Sequence, residues 1–226
     1  MNNYTTLLLD LDNTLLDFNK AEYNAIRTVL KKYGLPYSDD ITKLYSKINL
    51  KYWKRFEKGE IEKKDIFENR FIELFSVLGE SRDEKAFSKD YFSCLSEGYY
   101  TVDGAYELLR YLKNKGYYIV AATNGISFTQ HKRIKLSGLA DFFDKVFVSE
   151  DAGHQKPEKE YYDFIIENIP EKDKSKILIV GDSQSSDISG GINSGIDTCW
   201  YNPKNETGIF ESKYTISHLK EIEIFL

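Results

Sequence analysis

Two aspartates, Asp10 and Asp12, interrupt and end an apolar run, Thr-Thr-Leu-Leu-Leu-Asp-Leu, at residues 5 to 11. On an extended strand, side chains at i and i+2 point to the same side, so the two carboxylates are expected to share one face. That pairing suits attack on phosphorus. Asp10 is the candidate nucleophile, and Asp12 the acid to the leaving-group oxygen and then the base to the attacking water. The attack requires the negative charges of carboxylate and phosphate to be offset. Three later segments carry groups able to do so: Thr123-Asn124-Gly125, Lys156-Pro157, and Gly181-Asp182-Ser183 with Asp187 five residues beyond Asp182. Asp10 with Asp182 offers oxygen ligands to a hard cation such as magnesium, which bridges reacting oxygens as it neutralises them. Lys156 would stand as a fixed positive charge beside Asp10. Thr123 and the backbone amides near Asn124 would donate hydrogen bonds to phosphoryl oxygens, so Thr123, Asn124 and Lys156 form the expected phosphate cradle.

Taken singly, these pieces have plainer readings. Asp and Asn at strand ends form turns, Lys156 suits a solvated loop, and Asp182 and Asp187 suit a helix cap and its first turn. Their placement at successive strand ends is what joins them. Apolar runs recur at Tyr117 to Ala122, Lys145 to Val148 and Lys176 to Val180, each the length of a buried parallel strand. Between them lie helical patterns: Ala105, Leu108, Leu109 and Leu112 closed by Gly116, and Tyr161, Phe164 and Ile165 opened by Pro157 at the first-turn position. Strand and helix alternate, which predicts an α/β core with a Rossmann-like doubly wound parallel sheet. Ligands of such sheets collect at the carboxyl ends of the strands, where all four segments fall.

Residues 17 to 98 break the alternation. Four helical stripes follow one another there: Ala25 to Tyr33, Ile41 to Phe56, Phe67 to Leu78 and Phe87 to Leu95, with Gly34, Gly79 and Gly98 at their ends. The expected organisation is a core from 1–16 and 99–226 with an all-helical cap domain inserted at 17–98.

The chain of 226 residues carries a net charge of -5 with Lys and Arg scattered, which gives no stripe for a nucleic acid polymer. Cys94 and Cys199 are far apart without metal-ligand spacing, which suits buried fillers in a reducing compartment. No stretch approaches the roughly 18 apolar residues of a membrane span, and Asp10 and Asp12 interrupt the one N-terminal apolar run. A cytoplasmic protein, monomer or homodimer, with no membrane partner is expected. His154 lies near Lys156 and is a candidate for the rim of the site. His131 and His218 read as surface residues on helical segments.

Asp10-Leu-Asp12-Asn-Thr14, Thr123, Lys156-Pro157 and Gly181-Asp182-Ser183-Gln-Ser-Ser-Asp187 stand in the order of four motifs, and the chain resembles the haloacid dehalogenase superfamily of phosphohydrolases over essentially its whole length. The resemblance implies an aspartyl-phosphate intermediate on Asp10 and a helical cap inserted after the first motif. It implies magnesium bound by Asp10, Asp182 and the backbone carbonyl of Asp12, with Asp187 supporting the metal shell, often through water. Dehalogenases and phosphonatases of the superfamily lack the acid two places after the nucleophile, so Asp12 points to phosphate esters. Trp53-Lys-Arg-Phe56-Glu57-Lys-Gly59-Glu60-Ile61, Asn69-Arg70-Phe71 and the stretch Gly181 to Gly191 are similar to the branch that dephosphorylates pyrimidine nucleoside 5'-monophosphates. Trp53 and Arg70 are then the candidate substrate contacts, although aromatics at helical spacing also suit a cap core. A phosphatase of phosphoglycolate, a sugar phosphate or another small phosphorylated metabolite keeps the same catalytic residues, as does a mutase. A catalytically silent binding or regulatory module is the alternative of another class.

Overall fold

β1 (Thr6–Leu9) is the centre of a parallel sheet, which explains its unbroken run of apolar residues. Leu7, Leu8 and Leu9 are each at most 1% exposed. Leu7 and Leu9 enter one core layer with Ala121, Val180 and Leu108, whereas Leu8 enters the opposite layer with Val120, Ile179 and Tyr161, as the two-residue period of a strand requires. Its neighbours are β2 (Tyr118–Thr123) and β4 (Ile177–Gly181), and β3 (Lys145–Val148), β5 (Asp197–Tyr201) and β6 (Tyr214–Ile216) complete the order β3-β2-β1-β4-β5-β6. The chain reverses its direction of travel across the sheet between β1 and β4, the switch point at which such sheets open a crevice. β5 and β6 were not expected: the first carries Asp197 and Thr198 in five residues and the second is only three long, so neither shows an apolar run.

The structure describes residues 4–226 of the chain as a computed structural model, and these divide into two units. One unit comprises the segment ending at Asp17 together with Tyr100–Leu226 and holds the sheet. Its helices are α5 (Ala105–Asn114), α6 (Ser127–Leu136), the single-turn α7 (Ser149–Ala152), α8 (Lys159–Glu167) and α9 (Ser189–Ser194). α8 begins after Glu158, so Pro157 lies ahead of the helix and not in its first turn. His154 and His131 are exposed, the former 3.5 Å from Glu158, and exposed His218 precedes a turn of 3₁₀ helix.

After β1 the chain turns tightly, with Asn13 left-handed at φ 62 and the Leu15 and Leu16 amides donating to the Leu11 carbonyl at 2.9 and 2.7 Å. Leu16 then bridges antiparallel to Thr101, and the Asp17 amide donates to the Tyr100 carbonyl at 2.9 Å. The outgoing and returning stretches of the chain are clasped side by side.

The other unit, Phe18–Tyr99, is a set of four helices: α1 (Phe18–Lys32), α2 (Asp39–Glu57), α3 (Lys63–Leu78) and α4 (Glu84–Leu95). Ala25, Ile26, Val29 and Leu30 form the buried stripe of α1, and Gly34, at φ 67, ends the segment. Phe71, fully buried, meets Tyr45, Phe87 and Tyr91 with ring centroids 5.0 to 5.5 Å apart. Arg70 is 1% exposed, donates from Nη1 to Asn49 Oδ1 at 2.7 Å and lies 4.7 to 4.9 Å from the rings of Phe71, Tyr91 and Phe92. Asn49 in turn donates to buried Glu22 at 2.7 Å, so the amide mediates between two buried charges. Half-buried Trp53 sets its ring against Phe56 at 5.7 Å. Among the described residues no helix is long and apolar enough to cross a membrane.

Candidate active site

The carboxyl ends of β1, β2 and β4 and the segment after β3 bring Asp10, Thr123, Asp182 and Lys156 to one edge of the sheet. Asp10 follows β1 directly, its amide donating to the Val180 carbonyl at 2.9 Å, and it is 7% exposed. Its two oxygens have separate partners: the Lys156 ammonium donates to Oδ1 at 2.6 Å, and the Thr14 hydroxyl donates to Oδ2 at 2.9 Å. Thr14 also accepts from the Asp182 amide at 3.1 Å and thereby ties the end of β1 to the end of β4.

Lys156 is 2% exposed and uses all three ammonium protons, donating also to Asp187 Oδ1 at 2.7 Å and to the Ala122 carbonyl at 3.0 Å. Burial alone would push its pKa down; Asp10 and Asp187 reverse that and hold the ammonium well above the ordinary lysine range. Asn124 fixes the backbone of this lysine from both sides, donating to the Lys156 carbonyl at 2.8 Å and accepting from its amide at 2.9 Å. The Asn124 side chain is thus committed to placing Lys156, and only its backbone remains for a ligand. The Thr123 hydroxyl oxygen accepts from the Gly125 amide at 3.1 Å and from Gln130 Nε2 at 2.8 Å.

Asp187 arrives through a π-helical turn, Gln184–Ile188, whose wider ring carries it back towards β4. Its Oδ2 accepts from the Ser183 amide at 3.1 Å. Gly181 makes room for this carboxylate: a Cβ there would lie 2.2 Å from Asp187 Cγ. Asp182 differs from its neighbours, because no hydrogen bond or ion pair from the described residues engages its carboxylate, while Trp200 Nε1 donates to its carbonyl at 2.9 Å.

Asp10, Asp182 and Asp187 each place a carboxylate oxygen within 4.8 Å of the others. Three acids beside one lysine leave an excess of negative charge in a buried space. Burial, opposed by Lys156 and reinforced by Asp187, pushes Asp10 up to about 7, and burial with Asp10 and Asp187 pushes Asp182 well above the usual carboxylate range. A compact set of hard oxygen donors with surplus negative charge and one uncommitted carboxylate fits a divalent cation of the magnesium kind.

Asp12 lies beyond the end of β1, and its carboxylate is gripped by two α6 residues absent from the sequence reading. Arg133 Nη1 donates to Oδ1 in a short ion pair, and Gln130 Nε2 donates to Oδ2 at 2.8 Å. α6 carries a buried polar face of Thr129, Gln130 and Arg133 directly after Thr123. The signal in the sequence was that position, a polar pair at i and i+3 just past a strand end, but its burial becomes visible only when packed. Trp53 and Arg70 lie in the four-helix unit as described.

The family described as haloacid dehalogenase-like hydrolase matches residues 7–201. Pyrimidine 5'-nucleotidase PynA of Streptococcus pneumoniae is 40% identical over 200 residues, 88% of this chain and 84% of that protein. Pyrimidine 5'-nucleotidase YjjG of Escherichia coli is 29% identical over 223 residues, 97% of this chain and 96% of the relative. The crystal structure of the Bacillus subtilis hydrolase YfnB, bound to magnesium, superimposes with a TM-score of 0.95 at 38% identity, covering 99% of both chains.

Proposed function

The chain belongs to the haloacid dehalogenase-like hydrolases, and on that premise we propose that it is a magnesium-dependent phosphatase of pyrimidine nucleoside 5'-monophosphates. The observation that carries the chemistry is Lys156 held between Asp10 and Asp187 beside the uncommitted carboxylate of Asp182. The kinship with PynA and YjjG supports the substrate class, and the magnesium bound to YfnB supports the metal. Asp10, Asp182 and the Asp12 backbone carbonyl are the proposed ligands, with Asp187 behind them. Bound there, the ion would supply the positive charge that offsets the carboxylate and phosphate charges.

Asp10, in the ionised form that Lys156 and the Thr14 hydroxyl favour, attacks phosphorus to give an aspartyl phosphate, and the bond to the nucleoside oxygen breaks as Asp12 protonates it. Asp12, now a carboxylate, takes a proton from the water that attacks the phosphorus, and the bond to Asp10 breaks. Lys156 and the Thr123 hydroxyl stabilise the charge on the phosphoryl oxygens in both steps. Residues 17–98 act as the cap, which excludes bulk water and supplies the nucleoside contacts, with Trp53 a candidate among them. Arg70, enclosed among aromatic rings, holds its helices together and acts on the substrate only through them.

Phosphate release from pyrimidine and purine monophosphates, sugar phosphates and phosphoglycolate, with magnesium, tests the reading. Pyrimidine monophosphates should rank first by kcat/KM. Equal ranking of sugar phosphates would remove the nucleotidase label and leave the phosphatase. Asp10→Asn should abolish turnover while keeping the far-UV circular dichroism of the parent, and near-normal turnover in that variant would sink the mechanism.

A further inference from the structure

Asp12 stands on a loop with its side chain 28% exposed, yet its task as acid and base demands one fixed direction. Arg133 and Gln130, one turn apart on α6, are 0% and 1% exposed. We propose that Arg133 and Gln130 are positioning residues, which aim Asp12 for the two proton transfers and Thr123 at the phosphoryl oxygens without touching the substrate. The proposal rests on the phosphatase reading above.

The three side chains form a closed arrangement. Arg133 Nη1 donates both to Asp12 Oδ1 and, at 3.0 Å, to Gln130 Oε1. With the carbonyl end of Gln130 turned to the guanidinium, its NH₂ end is turned the other way. It donates there to Asp12 Oδ2 and to Thr123 Oγ1, both at 2.8 Å. Arg133 therefore sets the orientation of the Gln130 amide as well as one oxygen of Asp12. Thr123 already accepts from the Gly125 amide at 3.1 Å, so two donors occupy its oxygen and direct its own proton elsewhere. That free proton is the one a phosphoryl oxygen would receive. One glutamine thus couples the acid and base to the phosphate donor, and the rigid guanidinium fork holds the glutamine. A misplacement of about 1 Å at a reacting group can cost of order 10²-fold in rate, which is the scale expected here.

The test uses Arg133→Met, Arg133→Lys and Gln130→Leu, each alone and combined with Asp12→Asn, assayed with magnesium on cytidine 5'-monophosphate and p-nitrophenyl phosphate. Arg133→Met should lower kcat on the nucleotide about 10²-fold with KM within about threefold, since lost acid and base catalysis slows chemistry and not binding. Arg133→Lys should recover part of that loss. In the Asp12→Asn background the added Arg133→Met should change kcat less than about threefold, because residues acting through one another are not additive. With p-nitrophenyl phosphate, whose leaving group needs no proton, a burst of nitrophenolate should persist while steady turnover falls. Unchanged kcat in Arg133→Met, or an equal loss with and without Asp12, would overturn the proposal. If Arg133→Met melts below the assay temperature, Gln130→Leu is read by the same criteria. Near-full turnover by Asp12→Asn alone would instead overturn the phosphatase mechanism, a result separable from the Arg133 outcomes.

Discussion

Lys156 has no spare proton and is 2% exposed, so its removal would leave Asp10 and Asp187 buried without their cation. Lys156→Met should destabilise the protein by about 3 to 5 kcal/mol, read by chemical denaturation, and remove turnover at any magnesium concentration. The acids make a second prediction. A carboxyl whose folded pKa is raised favours the protonated form in the folded state, so metal-free stability falls as pH rises from the unfolded value near 4 through about 7 for Asp10. Magnesium should accordingly raise the melting temperature more at pH 8 than at pH 5. A metal-free protein equally stable at both would contradict this. The convergence of Asp10, Lys156 and Asp182 was legible because residues at the carboxyl ends of neighbouring parallel strands fall on one edge of the sheet. Arg133 and Gln130 were not, since their partner Asp12 is 121 and 118 residues away and only the folded chain matches them.

At the scale of elements, the π-helical turn and Gly181 act as one device: the turn returns Asp187 to β4, and the missing Cβ lets it come close. Gly181→Ala should push Asp187 off its place beside Lys156, costing about 1 to 3 kcal/mol as an overpacked site. It should also weaken magnesium binding, measured by calorimetry. A variant with parental affinity would show that the contact can relax. β1, β2 and β4 announced themselves as apolar runs because both faces of an interior parallel strand are buried, and edge strand β3 did so through its buried Phe147 and Val148. β5 and β6 did not, for one is partly polar and the other has three residues. The start of α8 moved from Pro157 to Lys159, since Glu158 takes the capping position with extended backbone at φ -62 and ψ 135.

At the scale of the molecule, the four-helix unit was legible as four apolar stripes without a strand between them, whereas its aromatic interior around Arg70 was not, because an arginine in a sequence reads as surface. The sheet unit contains its own core layers on both faces. A chain in which residues 18–99 are replaced by a short Gly-Ser linker should therefore keep cooperative unfolding and slow hydrolysis of p-nitrophenyl phosphate, while losing preference among nucleotides. Loss of cooperative unfolding would show that the sheet unit depends on the helices.

The clasp of Leu16 with Thr101 and of Asp17 with Tyr100 gives that experiment its footing. Two stretches zipped together present neighbouring chain ends whatever lies between them, so the loop-closure entropy of any insert is met at one fixed doorway. The helices can then be exchanged as a cassette without re-threading the sheet. Under the proposed function, chemistry and taste in substrate become separately heritable, and a lineage can change the second while keeping the first.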